Sequence, residues 1–271
     1  MEVKAHRGTD LVWTGYDNSG KPWFESDISI FDFSAIKTTD KAVSDKLQKI
    51  LKKVIRFNCE FLDKWNAFKI DTYLEFPRDW GLGSSSTLIY LVAKWADIEP
   101  LELYFACENG SGYDVAVAGS KYPLEYWCTP EDISYTKSDF NPKYKDQLYF
   151  VHLGKKQSSE DSIKDYLKNV KGKDDLVKGI GEITEAIQEA SDVSSFEKLM
   201  VQHEDLISKH TGFTKVSDHI FQDYNFGKVK SLGAWGGDFV MATSDQDAAT
   251  TINYFKNKGL NTVLTYNEMA L

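Results

Sequence analysis

"RDWGLGSSSTLIY", Arg78 to Tyr90, sets two glycines around a leucine, adds three serines and a threonine, and runs on into apolar residues. Glycine admits left-handed backbone and lets a ligand approach the main chain closely. From Ser84 to Trp95 there is no charge before Lys94, which predicts a helix buried on all sides. The start of such a helix exposes N–H groups without intrahelical partners and carries a partial positive charge. A glycine loop feeding it is therefore a cradle for an anion, phosphate above all. Serine hydroxyls add donors to phosphate oxygens or oxygen ligands for Mg²⁺. A serine-capped helix after a glycine turn has the same spelling, so the loop alone leaves both readings open. Two familiar phosphate loops do not fit. Ser84 stands where a P-loop has lysine, and Ser86 stands where the dinucleotide fingerprint has its last glycine.

Around this loop the chain of 271 residues, 42% hydrophobic and 14% aromatic, is long enough to bury a large core in one domain or two lobes. Lys and Arg number 32 against 41 Asp and Glu, a net charge of −9, which argues against nucleic acid as a partner. No apolar run is long enough to span a bilayer, and no secretory signal follows Met1. Cys59, Cys107 and Cys128 are widely spaced and predict reduced thiols in a cytoplasm, and the lack of a spanning run predicts no membrane partner.

Residues 10–33 read as strand, turn, strand, and 39–65 as one amphipathic helix with Leu47, Ile50, Leu51, Val54, Phe61, Leu62 and Trp65 at helical spacing. Residues 68–76 alternate as a strand, and 100–120 hold two short helices around a Gly/Ser/Asn break. Strands are expected at 123–128 and 148–154, with a polar loop over 129–147. A helical region follows, marked by Ile180, Ile183 and Ile187 and then by Phe196, Leu199, Met200, Leu206 and Ile207. "KVKSLGAWGGDFVMAT" reads as strand, turn, strand, before a helix near 246–258 and a last strand, "NTVLTY". The order gives an α+β protein with two lobes, 1–155 and 156–271.

Pro77 to Ser85, P-x-x-x-G-L-G-S-S, resembles the phosphate-binding motif of the GHMP kinase superfamily, which includes galactokinase, homoserine kinase, mevalonate kinase and phosphomevalonate kinase. "GSGYDVAVA" (110–118) is similar to the segment carrying the catalytic aspartate in mevalonate-kinase-like members. "KSLGAWGGDFVMAT" (230–243) is similar to the C-terminal glycine loop. The wording of these two segments most resembles the bacterial "GYDIA" group, and the resemblance spans nearly the whole chain.

The resemblance implies a two-lobed GHMP-kinase-like fold, with an N-terminal mixed sheet and helices and a C-terminal α/β lobe. It implies ATP and Mg²⁺ as cofactors, a small-molecule alcohol as substrate, and a monomer or homodimer. Gly81, Leu82, Gly83, Ser84, Ser85 and Ser86 would hold the phosphates, with Ser85 also on the metal. Asp114 would be the base or electrostatic partner of the substrate hydroxyl. Gly112, Tyr113, Gly233, Ala234, Gly236 and Gly237 would line the substrate. The reaction would be in-line transfer of the γ-phosphoryl group, catalysed by positioning and charge stabilisation. Alternatives are a catalytically incomplete member that binds nucleotide or metabolite, or a relative of phosphomevalonate kinase or the decarboxylases. A phosphorylated substrate wants a basic cluster that the sequence does not assemble.

The family's first motif, Gly-Lys followed by apolar residues and Gly-Glu, is not found, so the chain is expected to begin inside a later strand and leave an exposed edge. Glu102 and Glu108 are the carboxylates available for the metal, and each also reads as a solvated helix residue. Ser111-x-x-Asp114 has capping-box spacing, which would make Asp114 a helix cap instead of a base. Asp238 is expected to point away from phosphate or to pair with a cation; Lys228 and Lys230 could supply that cation, but read first as solvated strand lysines. Trp80 reads as core, or as a contact to nucleotide or substrate. His203 and His210 lack metalloprotease spacing and read as buried, hydrogen-bonded histidines.

Overall fold

The structure, a computed structural model, describes residues 1–62, 67–129, 132–155, 159–233, 235 and 238–270. The chain forms two compact units. The first comprises 1–78 with 82–137 and the second 79–81 with 138–271, whereas the sequence placed the division at 155.

In the first unit, β1 (Glu2–His6), β2 (Asp10–Tyr16), β3 (Pro22–Ser29) and β4 (Ala35–Thr38) precede helix α1 (Lys41–Phe57) and strand β5 (Ala67–Tyr73). The sheet runs β1-β5-β2-β3-β4. β5 pairs parallel with β2, Leu11 facing Phe68, and every other pairing is antiparallel, so the sheet is mixed. α1 starts where the Asp40 carboxylate accepts the Val43 N–H at 3.2 Å. It buries Leu47, Ile50, Leu51 and Val54, each contributing about 1.5–3 kcal/mol through removal from water. It stops at Phe57, short of the expected 65, because Asn58 turns extended and its side-chain amide donates to the Ala96 carbonyl at 2.8 Å. The expected apolar position Trp65 lies outside the described residues.

Helix α2 (Ser84–Trp95) begins and ends where the sequence placed it, and α3 (Pro100–Cys107) and α4 (Tyr113–Ala118) flank the Gly/Ser/Asn break. α2 is not buried on all sides. Ser86, Ile89, Val92 and Ala93 face the core, and Ser85 and Lys94 are exposed. β6 (Leu124–Cys128) folds back on β7 (Ile133–Lys137) as a two-stranded antiparallel sheet, so the expected loop over 129–147 contains a strand. "ISYTK" escaped notice because its side chains are mostly exposed and polar.

The second unit contains β8 (Leu148–His152), α5 (Ser159–Asn169), α6 (Lys173–Glu189), α7 (Val193–Thr211), α8 (Val216–His219), β9 (Val229–Ser231), β10 (Phe239–Thr243), α9 (Ala248–Asn257), β11 (Val263–Thr265) and α10 (Tyr266–Met269). Its sheet is antiparallel throughout, ordered β11-β8-β10-β9. β8 is buried along its whole length, which ties it to this unit. Tyr149, Val151, Val240, Ala242 and Phe255 form one core, and Tyr144, Leu148, Phe196 and Met200 another. Among the described residues no helix is long and apolar enough to cross a membrane.

Candidate functional site

Gly83 ends the loop as the N-cap of α2, at φ +70° and ψ 24°, a left-handed conformation that costs an L side chain roughly 1–2 kcal/mol. No side chain caps this helix start, so the serine-cap reading fails. Ser84, Ser85 and Ser86 occupy the first turn instead, half-exposed, exposed and buried respectively, with Leu82 half-exposed before them. The Thr87 N–H and hydroxyl both donate to the Gly83 carbonyl, at 3.0 and 3.2 Å, and fix the turn.

Asp114 lies against this turn. A Cβ built on Gly83 would stand 3.6 Å from Asp114 Cγ and 3.7 Å from its Oδ1. The capping-box alternative also fails, because the cap of α4 is Gly112, left-handed at φ +84°, with no side-chain hydrogen bond. Burial raises the Asp114 pKa from its ordinary value, and a hydrogen bond from the Tyr113 hydroxyl offsets part of this. Tyr113 itself is pushed up to about 12, by burial first and then by the charge of Asp114. Tyr104 on α3 is raised as well, by burial and by the charges of Asp114 and Glu108. The segment before α4 is held from two sides. The Tyr126 hydroxyl donates to the Ser111 carbonyl at 2.6 Å, and a Cβ on Gly112 would meet Leu101 and Phe105 at 3.0 Å.

Lys46 of α1 is the residue that sequence reasoning missed. Its ammonium donates to Ser85 Oγ at 3.1 Å and pairs with Glu108 Oε1 at 3.1 Å. One cation thus joins the serine expected on the metal to one of the two candidate carboxylates, and Glu108 is not simply solvated. Its neighbour one turn on, Lys49, donates to the Cys107 carbonyl. The only signal in the sequence is the helical spacing of the lysines along α1, and that does not say what they face.

In the second unit, Trp80 packs on Phe239 (ring centroids 5.6 Å apart) and on His152 (6.2 Å), and its ring stays half-exposed, outside the buried core. Asp238 does not point away from the loop. Its carboxylate lies where a side chain on Gly81 would be, and a Cβ there would overlap all three of its terminal atoms. Gly81→Ala is therefore expected to destabilise the fold by roughly 1–3 kcal/mol, from overlap and from φ +67° together. In urea denaturation the double variant Gly81→Ala/Asp238→Ala should cost less than the sum of the single variants.

Gly233, at φ +57°, stands two residues after β9, and beside it the Leu232 N–H donates to the Phe239 carbonyl at 3.1 Å. Ala234, Gly236 and Gly237 lie outside the described residues. Lys228 is exposed as expected, but Lys230 is not solvated. Burial lowers its pKa, Glu204 pulls it back up, and its ammonium donates to the Ser231 carbonyl at 3.0 Å. His210 is buried with Nδ1 against the Lys171 carbonyl, and His203 is held neutral, lowered to about 4, by burial. Among the described residues no group of His, Cys, Asp or Glu could hold a metal by itself.

No family model matches the sequence, and no curated protein matches it. Solved structures do match by shape. The mevalonate kinase of Methanococcus jannaschii has a TM-score of 0.63 at 15% identity, covering 97% of this chain and 86% of that one. The phosphomevalonate kinase of Streptococcus pneumoniae has 0.62 at 17%, covering 97% and 88%. The mevalonate kinase of L. major, solved in complex with R-mevalonate, has 0.60 at 12%, covering 97% and 84%. The chain has the GHMP-kinase fold. At these identities the GHMP-kinase likeness is one of architecture, and it bears out the α+β fold that the glycine loop and its two companion motifs imply.

Proposed function

We propose that the protein is an ATP- and Mg²⁺-dependent small-molecule kinase that transfers the γ-phosphoryl group to an alcohol, with mevalonate as the acceptor. The observation that carries the reading is the placing of the Asp114 carboxylate against Gly83, the uncapped start of α2. The first-turn N–H groups, lacking a capping side chain, would receive phosphate oxygens, and the Ser84 and Ser86 hydroxyls would add donors. Asp238 lies on Gly81, so the anion-receiving part of the loop is Gly83 onward. Asp114 would accept the proton of the attacking hydroxyl, and its raised pKa suits a base better than an ordinary carboxylate's. Ser85 and Glu108 fit a metal, because a cation, the Lys46 ammonium, already stands 3.1 Å from an oxygen of each. Bound there, Mg²⁺ would neutralise phosphate charge.

Mevalonate is favoured by the motif wording and by the mevalonate kinases among the structures of like fold. A coupled assay should show ADP release that depends on mevalonate. Saturable ATP binding with no transfer to mevalonate or other small alcohols would overturn the kinase reading. Transfer to phosphomevalonate alone would overturn the acceptor.

A further inference from the structure

α4 presents Asp114 on one side, and its other side closes a second cavity. At 100° per residue, Val115, Ala116 and Gly119 fall on the face away from Asp114, and all three line a hollow of about 430 Å³. Its walls come from α2, from the start of α3 and from the β6–β7 hairpin. The volume lies within the range of small-molecule sites, about 300–1,000 Å³.

The lining has a definite chemistry. Three tyrosines border it, Tyr90, Tyr122 and Tyr135, with Leu101 and Leu124 as apolar floor. Tyr122 and Tyr135 are 58% and 46% exposed, although the Tyr135 ring stacks on Tyr126 with centroids 6.2 Å apart. Lys94 and Lys121 also line it, and the Lys94 ammonium stands over the Tyr90 ring, 5.8 Å from its centroid. Lys137 adds a third ammonium, 4.2 Å over the Tyr122 ring. Glu99 is the one acidic residue among those lining the hollow. In a chain with 41 acidic and 32 basic residues this balance is locally reversed.

We infer that this cavity is a binding site for a planar aromatic molecule carrying an acidic group. Exposed tyrosine rings offer stacking faces. The ammonium groups over those rings mark where the acid of a stacked ligand would sit, because a ring that displaces a lysine from a tyrosine face keeps its acid beside that lysine. The site needs neither ATP nor the metal, and it stands whether or not the protein is a kinase.

The probe is 8-anilinonaphthalene-1-sulfonate, titrated by fluorescence into the full chain with and without saturating Mg-ATP. One saturable site is expected, undisturbed by Mg-ATP. Tyr122→Ala and Lys94→Met should each weaken it about tenfold, a loss of about 1.4 kcal/mol, while leaving the melting temperature unchanged. Removing the sulfonate from the probe should weaken it by a similar factor. Displacement by Mg-ATP, unchanged affinity in both variants, equal affinity for the sulfonate-free probe, or no saturable binding would each overturn the assignment. If one variant melts early, the other decides.

Discussion

Asp114→Asn is expected to cut turnover with ATP and the acceptor alcohol by about 10²–10⁴-fold while the melting temperature stays level or rises. Loss of rate follows if the carboxylate takes the hydroxyl proton, because asparagine keeps the shape and cannot accept it. The stability half of the result comes from burial. Desolvation raises the Asp114 pKa, so the ionised side chain is less comfortable in the folded chain than in water. An amide removes that penalty and can still accept from the Tyr113 hydroxyl. A group whose folded pKa is raised favours the fold most when protonated, so the stability gained by Asp114→Asn should grow as pH rises above the ordinary carboxylate value of 3.8. Were Asp114 a helix cap, the substitution would cost about 0.5–2 kcal/mol and spare the rate. Kinetics and thermal melting on the same preparation separate the two outcomes.

The parts of this site that were legible in the sequence are those made by neighbours along the chain. Gly83 to Trp95 came out as written because a left-handed glycine and a charge-free apolar run settle that turn and helix locally. α1 was read too long because its end is decided elsewhere. Asn58 leaves the helix for the Ala96 carbonyl, 38 residues away. β4, a four-residue strand with mostly exposed side chains, gave no alternation to read. The Lys46–Ser85–Glu108 arrangement joins α1 to the first turn of α2 and the end of α3, and no spacing rule connects positions 39 residues apart. Lys230 was misread because a lysine on a short strand is taken as solvated by default, whereas here it is desolvated beside Glu204. The placing of Asp238 on Gly81 joins positions far apart in the chain, and no local spacing shows it.

Glu204 on α7 carries the second large effect. It is 3% exposed, and among the described residues no group is placed squarely enough to satisfy either carboxylate oxygen, the Ser231 N–H being its nearest backbone donor. Burial raises it from its ordinary 4.5 to about 7, against the pull of Lys230, the Ser231 N–H and Lys215, with Asp205 adding a little. Between these two pH values the folded chain holds a proton that the unfolded chain has lost. The contribution of Glu204 to stability is therefore full below 4.5, falls through this window, and is level above about 7. The size of that loss is about 3 kcal/mol, from 1.36 kcal/mol per pH unit. His203, lowered to about 4 by burial and by Lys230, has the opposite slope, because the unfolded chain binds its proton up to about 6.5. In the parent protein the two slopes offset each other between about 4.5 and 6.5. Glu204→Gln removes one and keeps the other. Relative to the parent, the variant should gain stability steadily from pH 4.5 to about 7 and hold that gain above it, whatever constant offset the lost partner of Lys230 imposes. Urea denaturation of both proteins across pH 4 to 9 measures the difference. Parallel profiles would mean that Glu204 is already ionised at neutral pH and would overturn the prediction.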